Sequence, residues 1–210
     1  MMTTAGTVEG RRRAAGAIWC WVVVLALLAM AVRGRHLAAI DLELMQWIQT
    51  LRVPWLDAAA RRITFFGSSP WTLGVMVVMS LRWRRPRTTL IALWATWLAG
   101  LLLQVALRYG VAQWRPDAGA LPLAMDLRTR FELAGFTSGH AFRSAFVYGW
   151  LAERAAARPS FRARLTVFGC GIMVALVGAS RLYLSRHWFT DVLGGWIVAC
   201  AALAVARRWA

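Results

Sequence analysis

His187 and Asp191 stand four residues apart in SRLYLSRHWFTDVLGGW, Ser180 to Trp196. If Trp188 begins a helix, that spacing puts both side chains on one face of its first turn. The carboxylate can then accept a hydrogen bond from one imidazole nitrogen. This fixes the tautomer and leaves the other nitrogen free as a base, nucleophile or ligand. Arg181, across a short loop, offers a planar donor fork suited to phosphate or carboxylate. A second group lies in FTSGHAFRS, Phe136 to Ser144. Ser138 and Gly139 open another helix, where free N–H groups and the helix dipole favour an anion, and His140 sits in its first turn. LRYGVAQWRP adds Arg108 and Arg115. Three separate segments thus supply two histidines, an aspartate, three arginines and a helix N-terminus. No segment carries a cluster of carboxylates, which argues against a two-metal phosphatase site. Arg143, one turn after His140, shares its face and could meet a second phosphate or a headgroup; the plainer alternative is an arginine reaching the interface.

The chain that must position these groups is 60% hydrophobic over 210 residues, with 13 Trp and a mean hydropathy of +0.53. Its net charge is +16 and every basic residue is Arg. The arginines fall in short clusters between apolar runs, a pattern of membrane loops rather than of a nucleic-acid-binding surface. Six stretches predict an all-α, polytopic membrane protein with six transmembrane helices: roughly Ala14–Val32, Gly67–Leu81, Thr88–Leu107, Gly139–Ala157, Leu165–Ser180 and Trp188–Ala206. Clusters at Arg11–Arg13, Arg82–Arg87, Arg154–Arg164 and Arg207–Arg208 then share one face. That face is read as cytoplasmic, with both termini in it. The opposite face receives Arg33–Phe66, Arg108–Phe136 and Arg181–His187, and with them all the candidate residues. In the first of these, DLELMQWIQTL places Leu42, Met45, Ile48 and Gln49 at helical intervals, as in a helix lying along a bilayer surface. Ala29-Met30-Ala31 after an apolar run also resembles a signal-peptide cleavage site, but the later spans suffice to insert the chain. Cys20, Cys170 and Cys200 lie inside apolar runs without metal-ligand spacing and are read as small buried hydrophobes.

At these residues the chain resembles the type 2 phosphatidic acid phosphatase superfamily. Arg108, six residues and Arg115-Pro116; Thr137-Ser138-Gly139-His140; and Ser180-Arg181, five residues, His187, three residues, Asp191 follow its signature K-x6-R-P, P-S-G-H, S-R-x5-H-x3-D in order and spacing. Two positions depart from it. Arg108 stands at the Lys, keeping the charge but replacing a point charge by a fork. Thr137 stands at the Pro, which frees a fixed φ.

The resemblance implies a single integral membrane phosphatase unit over residues 1–210, six-helical, needing no cofactor or metal. His187 would be the nucleophile that becomes phosphohistidine, with Asp191 orienting it. His140 would protonate the leaving oxygen and later activate water. Arg108, Arg115, Arg181, Ser138 and the Gly139 amide would hold the phosphoryl oxygens. The expected partner is a membrane lipid: polyprenyl diphosphate first, then phosphatidylglycerol phosphate, phosphatidic acid or lipid A phosphates. The expected place is a bacterial-type inner membrane, with the site facing the periplasm. Oligomeric state is not readable. A lipid phosphotransferase using the same phosphohistidine and a non-catalytic lipid-binding relative are the alternatives.

Overall fold

The computed structural model describes residues 4–82, 86–117, 129, 132–157 and 160–209. The regular structure among them is helical, apart from one isolated antiparallel bridge between Trp114 and Ala134. In chain order the helices are α1 (Thr4–Arg33), α2 (Ala38–Thr50), α3 (Pro54–Phe65), α4 (Ser69–Arg82), α5 (Arg87–Val111), α6 (Gly139–Ala156), α7 (Phe161–Tyr183) and α8 (Phe189–Ala206), followed by a 3-10 turn at Arg207–Trp209. Local chemistry sets several ends. Pro54 occupies the first turn of α3, where its missing N–H costs nothing. Ser160 caps α7 by accepting from the Ala163 N–H at 3.1 Å.

Helices stand at each of the six expected stretches, but the count of spans changes. Four helices are long and apolar enough to cross a membrane: Ala15–Arg33 of α1, α5, α7 and α8. A fifth is reached if α3 and α4, bent by 42° at their junction, form one broken span. Two expectations account for the difference. At 14 residues, α4 is about 21 Å long, short of a hydrocarbon core of about 30 Å. The α6 helix carries Arg143, Glu153 and Arg154 within its 18 residues, so it is not apolar enough. Conversely, α5 and α7 run several residues past the expected ends, because their polar terminal turns lie beyond the hydrophobic run. Arg84, Arg85, Arg158 and residues 118–128, 130 and 131 of the 108–136 connection lie outside the described residues.

The resulting molecule is a multi-pass membrane protein built around α6. That helix packs on α7 and α8, while α1 and α5 also pack on α8, α5 touches α6 as well, and α3 packs on α7. Phe142, Phe146 and Trp150 of α6 meet Val198 and Leu203 of α8, Met76 of α4 and Leu93 of α5 in the main core. Outward faces stay apolar, with Trp19, Leu102 and Phe168 more than 60% exposed, as expected of side chains whose solvent is lipid. Of the four α2 residues at helical intervals, Met45 is buried and Ile48 and Gln49 are half-buried, and only Leu42 departs from the inward face. Asp41 and Met45 point inward while Leu42 is exposed. Asp41, Met45 and Gln49 are spaced by four and share one stripe, from which Leu42 is rotated by about 100°.

Candidate active site

The last loop and the first turn of α8 form the centre of the site. Trp188 caps the helix, and Asp191 accepts from its backbone N–H at 3.0 Å through Oδ2. The same oxygen faces His187 Nδ1 at 3.2 Å. Both side chains are essentially fully buried. When Asp191 is ionised its carboxylate only accepts, which puts the hydrogen on Nδ1 and leaves Nε2 its lone pair. The Asp191 carbonyl in turn accepts from the Ser138 N–H at 2.9 Å, which ties the start of α8 to the start of α6.

Glycines make that junction possible. A Cβ on Gly195 would lie 2.6 Å from the Ser138 carbonyl oxygen and 3.0 Å from the Ala141 Cβ. One on Gly135 would lie 2.6 Å from Asp191 Oδ2. Only a hydrogen fits in either place.

At the start of α6, the Ser138 hydroxyl accepts from the Ala141 N–H at 3.4 Å, so its own proton remains available to an anion. Arg143 lies across the first turn. Its Nε donates to the Gly67 carbonyl at 3.1 Å, and Nη2 lies 3.4 Å from His140 Nδ1. Guanidinium has no acceptor, so His140 Nδ1 receives this bond and the neutral ring bears its hydrogen on Nε2. Arg143 is thus directed at His140 and a buried carbonyl, not at the interface.

The remaining arginines converge from three elements. Arg108 ends α5 and Arg115 follows the loop, while Arg181 closes α7 and donates from Nη1 to Thr64 Oγ1 at 2.9 Å. The Nε atoms of Arg115 and Arg181 are buried without a hydrogen-bond partner among the described residues. Burial lowers the Arg115 pKa, opposed by the nearby carboxylates Asp117 and Asp191. His187 is pushed well below the ordinary imidazole value, by burial first and then by the positive charges of Arg181, Arg115 and Arg108. All nine candidate residues therefore gather around the start of α6 and of α8, where one oxyanion would meet several guanidinium groups beside a neutral imidazole nitrogen.

Several contributors were not found by sequence reasoning. Asp41 of α2, 3% exposed, accepts from the Thr190 N–H at 3.0 Å and from Thr190 Oγ1 at 2.6 Å. Gln113 Nε2 adds a third bond to it at 3.2 Å. Asp41 thus caps the helix that carries Asp191. Thr64 and Gly67 seat Arg181 and Arg143. Arg186 pairs with Asp117 at 2.8 Å, joining the loop after α5 to the one before α8. The one sequence signal was a carboxylate on the stripe that α2 shares with Met45; its partners Gln113 and Thr190 are 72 and 149 residues distant.

A family model described as the PAP2 superfamily matches residues 88–210. Among curated proteins, phosphatidylglycerophosphatase B of Bacillus subtilis (strain 168) is 28% identical over 174 residues, 80% of this chain and 82% of its own. Two solved structures share the fold. One is the first transmembrane PAP2-type phosphatidylglycerolphosphate phosphatase from Bacillus subtilis, with a TM-score of 0.76 at 24% identity over 91% of this chain and 94% of that one. The other is LpxE of Aquifex aeolicus, with a TM-score of 0.59 at 20% identity over 79% and 94%.

Proposed function

The chain belongs to the PAP2 superfamily, and from that premise we propose that it is a membrane lipid phosphatase acting through a phosphohistidine at His187. The observation that carries the reading is the buried His187–Asp191 pair, with its free Nε2 among three converging arginines. In the first step Nε2 attacks the phosphorus of a lipid phosphate or diphosphate. The bond to the lipid-side oxygen breaks, and that oxygen takes a proton from His140, which enters this step as the imidazolium, protonated as the anionic headgroup binds, and leaves it as the neutral ring whose Nδ1 accepts from Arg143. In the second step water gives a proton to His140 and attacks the phosphohistidine, which releases inorganic phosphate and restores His187. Asp191 holds the ring in the required tautomer and faces the positive charge that develops on it. Arg108, Arg115 and Arg181, with the Ser138 hydroxyl and the Gly139 N–H, stabilise the charge gathering on the phosphoryl oxygens, where most of the acceleration in such transfers arises. Arg143 acts on His140.

Phosphatidylglycerol phosphate moves ahead of polyprenyl diphosphate as the preferred substrate, because the curated relative that covers most of this chain is a phosphatidylglycerophosphatase. We assign residues 1–210 to one functional unit, since the site draws on α2, α3 and the α3–α4 turn as well as on the matched region. The site belongs to one membrane face and both chain ends to the other, by the charge distribution the non-cytoplasmic one for the site. Supporting this, α1 ends and α8 begins beside the site, so their other ends lie a helix length away.

The test is phosphate release by purified protein in detergent containing EDTA, over phosphatidylglycerol phosphate, polyprenyl diphosphate, phosphatidic acid and lipid A phosphates. Wild type should release phosphate and His187→Ala should not. Label passing from the lipid to a second lipid rather than to water would replace hydrolysis by transfer.

A further inference from the structure

Next to the histidine pair, between the end of α1, the start of α2 and the chain after α5, lies a cavity of about 460 Å³. Its size is that of a small-molecule site. Arg115 and Trp188 form the wall it shares with the active site, since Trp188 adjoins His187 and Arg115 reaches toward Asp191. Its lining also includes Arg33 and Arg35, both exposed residues that the mechanism does not use. Arg33 is oriented by a 2.7 Å bond from Nη1 to the Gly110 carbonyl. Arg35 makes no side-chain hydrogen bond among the described residues.

Two further observations bear on what the cavity holds. Arg35 and Ala112, one on each bordering turn, have φ of 59° and 53°. Both are left-handed conformations that non-glycine residues adopt at a cost and that concentrate at ligand-binding sites. Asp41, the acidic wall residue, is already bonded through both oxygens to Thr190 and Gln113. The uncommitted charge is therefore that of guanidinium groups. Away from them the wall becomes apolar at Val32, Leu37, Leu42 and Val111, leading toward the lipid-facing side of α2.

We propose that this cavity is a subsite for a second, non-reacting phosphate in the substrate's own headgroup, bound by Arg33 and Arg35. Arg115 stands between that phosphate and the reacting one. The lipid tail leaves along the apolar wall. The substrate class is then a lipid bearing two phosphates, the outer one cleaved and the inner one held. This deepens the reading of the preceding subsection and rests on it. It also moves to the α1–α2 turn a role that the sequence had offered to Arg143, whose guanidinium is directed elsewhere.

The experiment compares kcat/KM on phosphatidylglycerol phosphate and on phosphatidic acid, for wild type and Arg33→Gln/Arg35→Gln, in neutral detergent with and without phosphatidylglycerol. Wild type should favour the two-phosphate lipid. The double variant should lower the two-to-one ratio about tenfold, the scale of one lost charge-assisted contact, chiefly through KM. An unchanged ratio, or a loss that appears only when phosphatidylglycerol is added, overturns the subsite; the latter result would mark a contact to bulk anionic lipid. Failure of the phosphatase reading looks different, as no release from either lipid. In that event the subsite is read on His187→Ala by the fluorescence change of the cavity tryptophans on adding phosphatidylglycerol phosphate micelles. A change lost on adding the two arginine substitutions supports it, and a change that survives them overturns it.

Discussion

In the proposed mechanism His187 owes its reactivity to what surrounds it rather than to its own chemistry. Burial and three guanidinium groups hold its pKa below the usual imidazole value, so in the folded protein it stays neutral through pH 6.5. The sign has two consequences. The limb of kcat/KM due to His187 protonation lies on the acid side of pH 6.5, which a pH–rate profile reads directly. Below pH 6.5 the unfolded chain binds a proton here that the folded chain refuses, so this group makes stability fall as pH falls. Replacing His187 by Ala should cost about 10³-fold or more in phosphate release. Arg143 calls for a different signature. If its bond to His140 Nδ1 positions the acid, Arg143→Leu lowers kcat about tenfold or more on one- and two-phosphate lipids alike, with little change in KM. Arg143→Lys should recover part of the loss. At this scale the sequence was most legible, because residues that share a helix turn have contacts fixed by spacing alone. His187 with Asp191 could be read in that way. His140 and Arg143 were seen to share a face, but their bond could not be read, since it depends on how the Gly67 carbonyl draws the guanidinium aside.

Two elements meet at the site, and what joins them is backbone. Gly195 lets the start of α8 lie against the Ser138 carbonyl, a neighbour that no side-chain rotation can move. Gly195→Ala should destabilise the protein by about 1–3 kcal/mol through overpacking, with kcat lowered because both helix starts shift together. A thermal melt and a single kcat measurement decide it. Asp41 acts on the same helix start from outside. Removing it leaves the Thr190 N–H buried without a partner. Asp41→Ala is therefore expected to cost about 1–3 kcal/mol and to lower kcat more than it raises KM. The positions of all the long helices were evident from hydropathy. Their ends were not, because Ser160 and other terminal residues are polar and are counted as loop by any window that follows apolar runs. Nor was the inward turn of Asp41 evident: pattern reading counts hydrophobic residues, and here a carboxylate joins them on the inward face.

For the molecule as a whole, charge clusters are the basis of the proposed direction, and helix connectivity supports only that both chain ends lie away from the site. A reporter fused after Arg208 should be active only on the cytoplasmic side, and a cysteine placed at the exposed position of Trp55 should react with an impermeant reagent from the opposite side. The converse labelling pattern would invert the topology. By length and composition four or five helices qualify as spans rather than six, yet α6 begins beside the site and α7, next in the chain, ends beside it, so α6 too runs from one end of the bundle to the other. The structure separates α6, whose residues are almost all buried or half-buried against neighbouring helices, from helices that face lipid.

The matched family region begins at residue 88, yet several atoms that seat its polar groups come from earlier in the chain, among them both Asp41 carboxylate oxygens, the Thr64 hydroxyl and the Gly67 carbonyl. The earlier helices thus act as a template that the later ones close upon. Cutting the connection at 83–85, between α4 and α5, would divide template from site without touching either. The later fragment expressed alone should lack phosphatase activity, and co-expression of the two pieces should restore it by complementation. That recovery should fail when the first piece carries Asp41→Ala.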